Sequence, residues 1–260
     1  MTLEEKLYFS RNQNDIKTAV KFAIAKVSSS SSSGVPNLSN IHYFNLATNG
    51  NFRVVGIRDL VSMGWTFKDI VNETIKIDYE TINDITSEHN GDNEQWFQVV
   101  RENPETLRFL LDENLKAIGY YYFIPLFKDT FQQAKNGQLF DSEITVDKVP
   151  LMLQGTYDIY FIVICIRETY KKAFALKQML LSVMELFEEM ASNGIFINEI
   201  CTQAYSESGI ALCKSIGLKY LKDHVDKGQV YHGNISDLLV HPLSAKFDNL
   251  RNIYDNRLKN

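Results

Sequence analysis

Four cations fall within eleven residues of an otherwise acidic chain: Arg167, Lys171, Lys172 and Lys177. Cations gathered so closely suit a pyrophosphate or a nucleotide 3′-phosphate. They follow an apolar run, Ile159 to Ile166, that reads as a buried strand interrupted only by the tolerant Cys165. No Pro or Gly separates this strand from the amphipathic helix after it. A strand that feeds directly into a helix leaves unpaired N–H groups and the positive end of a helix dipole at the strand's carboxyl edge, where the phosphates of an anionic cofactor would sit. Two features oppose this reading. Glu168 offsets part of the positive charge, and the cradle has no glycine to let its backbone approach a phosphate. The same lysines also describe an ordinary solvated helix face.

The elements that must hold these groups belong to a chain of 260 residues, enough for one large core or two modest domains. A net charge of −5 argues against a nucleic-acid partner, which would require a basic face. No run approaches the ~18 apolar residues of a membrane span. The opening MTLEEKLYFSRNQ has no apolar segment, so neither a membrane partner nor a signal peptide is expected. Cys165, Cys201 and Cys213 are odd in number and each lies in an apolar-rich segment, which predicts buried thiols in a reducing cytoplasm. Five scattered histidines (His42, His89, His224, His232, His241) lack ligand spacing, and no metal is expected.

Periodicity predicts a helix over Asn14–Val27, ended by the serines Ser28 to Ser33, Gly34 and Pro36, a flexible connector. The segment Asp59–Ile85 is mostly helical in pattern, and Asp92–Arg101 forms a further short helix carrying Trp96 and Phe97. After Asn103–Pro104 the character changes. Leu107–Leu111 and Ala117–Ile124 read as a hairpin, and Phe127–Lys135 as a short helix. Along the second strand Tyr120 and Tyr122 share one face and Tyr121 and Phe123 the other, so that one pair is core while the other could line a groove. The last third alternates strand (159–166), helix (170–192), strand (195–202), helix (207–215) and strands at 218–223 and 229–233, then a helical tail over 236–257. Asn193–Gly194 marks a helix stop.

This order resembles the GNAT superfamily of acyl-CoA-dependent N-acyltransferases. Asn103 to Leu126 is similar to the family's second and third strands, with Ile118-Gly119-Tyr120 and Pro125-Leu126 at recurrent places. Phe140 to Pro150 resembles the acidic connector before the central strand. Ser206 to Leu221 resembles the family's Asn-x-x-Ala-x-x-Leu-Tyr-x-x-x-Gly-Phe segment, with Ser206 at the asparagine, Gly209 at the alanine, Leu212 at the leucine, Gly217 at the glycine and Leu218 at the phenylalanine. The similarity covers roughly residues 104 to 235. It implies a mixed α/β fold in which a GNAT-like central sheet is flanked by helices. A mostly helical region would occupy residues 1–103, with its Ser-rich linker at 28–36. An acyl-CoA-binding domain would occupy residues 104–260.

The resemblance also implies chemistry. Acetyl-CoA would be the co-substrate, its thioester carbonyl bonded near Ile164, Cys165, Ile166 and Arg167. Its pyrophosphate would rest on Lys172, Ala173, Phe174, Ala175, Leu176 and Lys177, with Ser206 at the far wall. Lys172 stands for the family's arginine and Ala175 for its first glycine, whereas Lys177 replaces a small residue. An amine of a small molecule or a protein would attack directly; a homodimer is left open. Where many members have a tyrosine that protonates the leaving thiolate, this chain has Cys213, with Tyr205 as the alternative acid. Glu199 and Glu168 are the candidate general bases. The departures in the loop and at Cys213 favour a non-catalytic module that binds acyl-CoA or a protein, whereas the retained cations and the strand–helix geometry favour the enzyme.

Overall fold

The computed structural model describes residues 52–82, 90–170 and 173–258. The helix expected at Asn14–Val27, the serine run, Lys171 and Lys172 lie outside the described residues. The described chain opens with β1 (Arg53–Gly56), α1 (Ile57–Ser62) and α2 (Phe67–Thr81). Thr66 starts α2 with a reciprocal cap: its Oγ1 accepts from the Asp69 N–H at 3.1 Å, and Asp69 Oδ2 accepts from the Thr66 N–H at 2.8 Å. The buried stripe of α2 is Ile70, Val71, Thr74, Ile77 and Asp78, the spacing of a single helical face. Its last member is a carboxylic acid where an apolar residue would ordinarily stand.

Next come α3 (Asn93–Glu102), the hairpin β2 (Leu107–Leu111) and β3 (Ala117–Pro125), α4 (Lys128–Lys135), β4 (Gly155–Ile166) and α5 (Ala173–Ser192). They are followed by β5 (Ile195–Ala204), α6 (Glu207–Ser215), β6 (Lys219–Asp223), β7 (Gln229–Asn234), α7 (Ile235–Leu239) and α8 (Asp248–Leu258). Hairpin, strand, long helix, strand, short helix and strand pair thus occur in the order that the resemblance implies. Three details differ from expectation. β1 was not anticipated, because four residues are too short to show a period. β4 begins four residues earlier than its apolar run. The expected single tail is broken at His241–Pro242, where proline ends α7 and a 3-10 turn intervenes before α8.

The fold is mixed α/β, a seven-stranded sheet in the order β1-β2-β3-β4-β5-β7-β6 with helices on both faces. All neighbours are antiparallel except β4 and β5, whose parallel pairing requires a crossover that α5 supplies. β1 pairs with β2 (Arg53↔Leu111), so strands on both sides of residue 103 share one sheet. All nine residues of β3 are buried, divided by the strand's alternation. Tyr121 and Phe123 join the core under α5 with Met184 and Phe187, whereas Tyr120 and Tyr122 join the core under α2 and α3 with Ile70 and Trp96.

The feature that positions a site is a seam inside the sheet. The β4–β5 pairing runs from Gly155↔Ile195 to Phe161↔Thr202 and stops there. At that level β4 is bulged, since Tyr122 pairs with Val163 and Phe123 with Phe161, leaving Ile162 as the extra residue. Beyond it, Ile164 and Ile166 stay with β3, while β5 continues alongside β7 as far as Ala204↔Gln229. Gly119 allows this close approach. A Cβ there would lie 2.4 Å from the carbonyl oxygen of Cys165.

Candidate functional site

Among the described residues, no strand pairs with the far edge of Ile162–Ile166. That edge leads through a short 3-10 turn, Glu168–Tyr170, toward the N-terminal end of α5. Ile164 and Ile166 turn their side chains to the α5 core and Cys165 to the opposite core. In the first turns of α5, Phe174 packs against Phe52, with ring centroids 6.3 Å apart. Ala175 is fully buried, Leu176 packs partly into the core and Lys177 is exposed. Ala175 therefore occupies a helical position where a methyl group fits.

The guanidinium of Arg167 is taken up by partners on α2 and β3. Its Nε donates to Glu80 Oε2 at 2.5 Å, its Nη2 donates to Glu73 Oε1 at 3.0 Å, and its Nη1 donates to the carbonyl of Ala117. Burial disfavours the charge, but the two carboxylates outweigh burial and hold the guanidinium more firmly protonated than usual. This cation ties α2 to the β3–β4 ladder. Glu168 is exposed at the mouth of an outer cleft of about 310 Å³ walled by Arg167, Tyr170, Lys76 and Lys116.

The other residues expected at the site disperse. Glu199 lies below the seam, on the α4 face of β5. Its Oε2 accepts from Lys135 Nζ at 2.7 Å, and His232 Nε2 lies 2.8 Å from the same oxygen. Burial pushes its pKa up, but the bonds from Lys135 and His232 prevail and hold the carboxyl below its ordinary range. A carboxylate so held is a weak base. Cys213 is buried among the α5-side core residues, and burial pushes its thiol up to about 11. Ser206 caps α6, its Oγ accepting from the Gly209 N–H at 3.1 Å. Tyr205 is 47% exposed as a residue, yet burial of its ring end, with Asp141 and Asp226 in electrostatic reach, raises its hydroxyl above the usual value.

Two carboxyl groups that the sequence reading did not select stand closer to the seam. Asp78 Oδ1 accepts from Tyr120 Oη at 2.6 Å, and Asp141 Oδ1 accepts from Tyr160 Oη at 3.2 Å. Burial pushes Asp78 up to about 7; the Tyr120 bond offsets part of that, and the Asp141 charge adds to it. Burial likewise pushes Asp141 up to about 7. Asp78 also borders a small cavity of about 20 Å³, together with Asn90, Trp96, Tyr120, Tyr122 and the bulge residue Ile162. Among the described residues Tyr122, 3% exposed, has no hydrogen-bond partner for its Oη, whereas Asn90, 8% exposed, holds its Nδ2 within reach of the Asp78 carboxyl without closing a well-formed bond. One signal could have found Asp78, namely its place on the apolar stripe of α2. No such signal exists for Asp141, which lies in an acidic connector.

No protein-family model matches the chain, and no curated protein sequence matches it. Solved structures with a similar chain path include an acetyltransferase of the GNAT family from Staphylococcus aureus (12% identity, 71% of this chain and 99% of that one, TM-score 0.45). Another is Ard1 from Thermoplasma volcanium (8%, 71% and 97%, TM-score 0.44). A third is a GNAT-family acetyltransferase from Listeria monocytogenes (14%, 70% and 94%, TM-score 0.40). Likeness of this degree carries no weight for activity.

Proposed function

We propose that this chain is an acyl-CoA-dependent N-acyltransferase in which an amine attacks the thioester directly. The observation that carries the reading is the parting of β4 from β5 after Phe161 and Thr202, which leaves the edge of Ile162–Ile166, near the start of α5, without a partner strand among the described residues. An extended pantetheine arm can complete such an edge with backbone hydrogen bonds, as an added strand would. The anionic end would meet the N-terminal turn of α5 and Lys177, with Lys172 expected beside it. A backbone N–H on the open edge would hold the oxyanion of the tetrahedral intermediate. The acceptor would be an amine of a small molecule or a protein, entering from the α2–α3 face.

A second reading, a non-catalytic acyl-CoA-binding module, is favoured by a specific observation. Arg167, Glu199 and Ser206 are each committed to structural partners. Isothermal titration with acetyl-CoA, on the native chain and on a Lys172→Glu, Lys177→Glu double variant, tests the shared part. Micromolar binding that the double variant loses is expected; no heat from the folded native chain would end both readings. Thiol release in the presence of a panel of amines then separates enzyme from module.

A further inference from the structure

We propose that the cavity beneath Ile162 seats the amino group of the acceptor, and that the acceptor is an unbranched aliphatic primary amine. This rests on the acyl-transfer reading, which names the thioester it would meet. Three observations lead to it. The cavity is lined by Ile162, the bulge residue at the level where β4 leaves β5. Among the described residues its polar rim includes the Asp78 carboxyl, which already accepts from Tyr120 Oη, the unpaired Tyr122 Oη, and Asn90 Nδ2, which reaches toward Asp78 without a well-formed bond. A buried polar atom left unpaired costs about 1–3 kcal/mol, which a fitting ligand atom restores. Ile75, Val100, Leu107 and Trp96 give the wall an apolar and aromatic part, and Thr74, also in the wall, spends its hydroxyl on the carbonyl of Val71.

The rim has a carboxyl oxygen and a phenol oxygen that accept, and an amide N–H that donates. A terminal amine matches both kinds, with N–H bonds for Asp78 and Tyr122 and, once deprotonated, a lone pair for Asn90 Nδ2 to hold until the thioester carbonyl arrives. A space of about 20 Å³ holds about one water-sized group. An amino nitrogen fits there only if the carbon behind it is slim, which selects an alkyl amine or a lysine side chain over the branched α-amine of a peptide. The protons balance. Of the three on an arriving ammonium, one passes to Asp78 and on to solvent, one stays on the new amide nitrogen, and one leaves with the thiol. The C–N bond forms as the C–S bond breaks.

The test is calorimetric titration of the full chain with cadaverine, with and without CoA, set against alaninamide as a branched α-amine. Cadaverine is expected to bind and alaninamide to give no heat. Asp78→Asn should weaken cadaverine by at least about tenfold, and Tyr122→Phe by about threefold. The second variant removes a hydroxyl that makes no hydrogen bond, so its fold is secure even if Asp78→Asn is unstable. Cadaverine heat that is absent, or equal in the native chain and both variants, would overturn the amine seat and leave the cavity to a structural water. Acetyl-CoA titrated on the same preparations reports separately. If it fails to bind while cadaverine binds through Asp78, acyl transfer falls and the amine seat stands.

Discussion

The most unusual residues of this molecule are two aspartates, Asp78 on the apolar stripe of α2 and the partly buried Asp141 beside Tyr160. Asp78 and Asp141 both have pKa values raised to about 7, burial being the first cause for each. The folded chain therefore holds more protons than the unfolded chain between about pH 4 and pH 7, and stability falls as pH rises through that window, by at most about 1.4 kcal/mol per pH unit for each group. Asp69, Glu80 and Glu199 have depressed values, so the stability they contribute is present at neutral pH and lost only below about pH 4. The melting temperature is expected to be higher near pH 5 than near pH 8, and Asp78→Asn should flatten that difference. A native profile that rises from pH 5 to pH 8 would contradict these assignments. The site was only partly legible in the sequence for a related reason. Glu199 and Arg167 were selected by type and position, but type does not reveal that Lys135 and His232, or Glu73 and Glu80, already hold them.

Among the elements, α2 depends on one long-range clamp. Arg167, at the end of β4, reaches Glu73 and Glu80 one face along the helix and also the carbonyl of Ala117. Arg167→Met should destabilise the chain by about 2–3 kcal/mol in urea unfolding, because the Ala117 carbonyl and the half-buried carboxylates lose their partner. Gly119→Ala should cost at least as much, since its methyl would strike the Cys165 carbonyl rather than a movable side chain. Most elements could be read from the sequence because their signals are local. The Ser206 cap fixes the start of α6, Gly194 at φ +79° stops α5, and the two apolar runs around Asp112–Lys116 define the hairpin. Three features were hidden because they are set by distant partners: β1, which exists as a strand only by lying against β2; the early start of β4, whose first residues are fixed by β5; and the bulge at Ile162, which depends on β3.

At the scale of the whole molecule, the seam divides seven strands into a four-stranded half, β1 to β4, and a three-stranded half, β5, β7 and β6, with their mutual pairing confined to one end. Such a sheet behaves like a partly opened zipper. The amides of Ile162 to Ile166 that face away from β3 should exchange with deuterium far faster than those of Ile197 to Cys201, although both segments are central in the sheet. Any extended molecule lying along the open teeth would tie the two halves together and slow that exchange. Because their mutual pairing is confined to one end, ligation should change the separation of labels placed on β3 and β6 more than it changes the content of secondary structure. The gap in the ladder would then act as the hinge through which occupancy on one side of the protein is felt on the other.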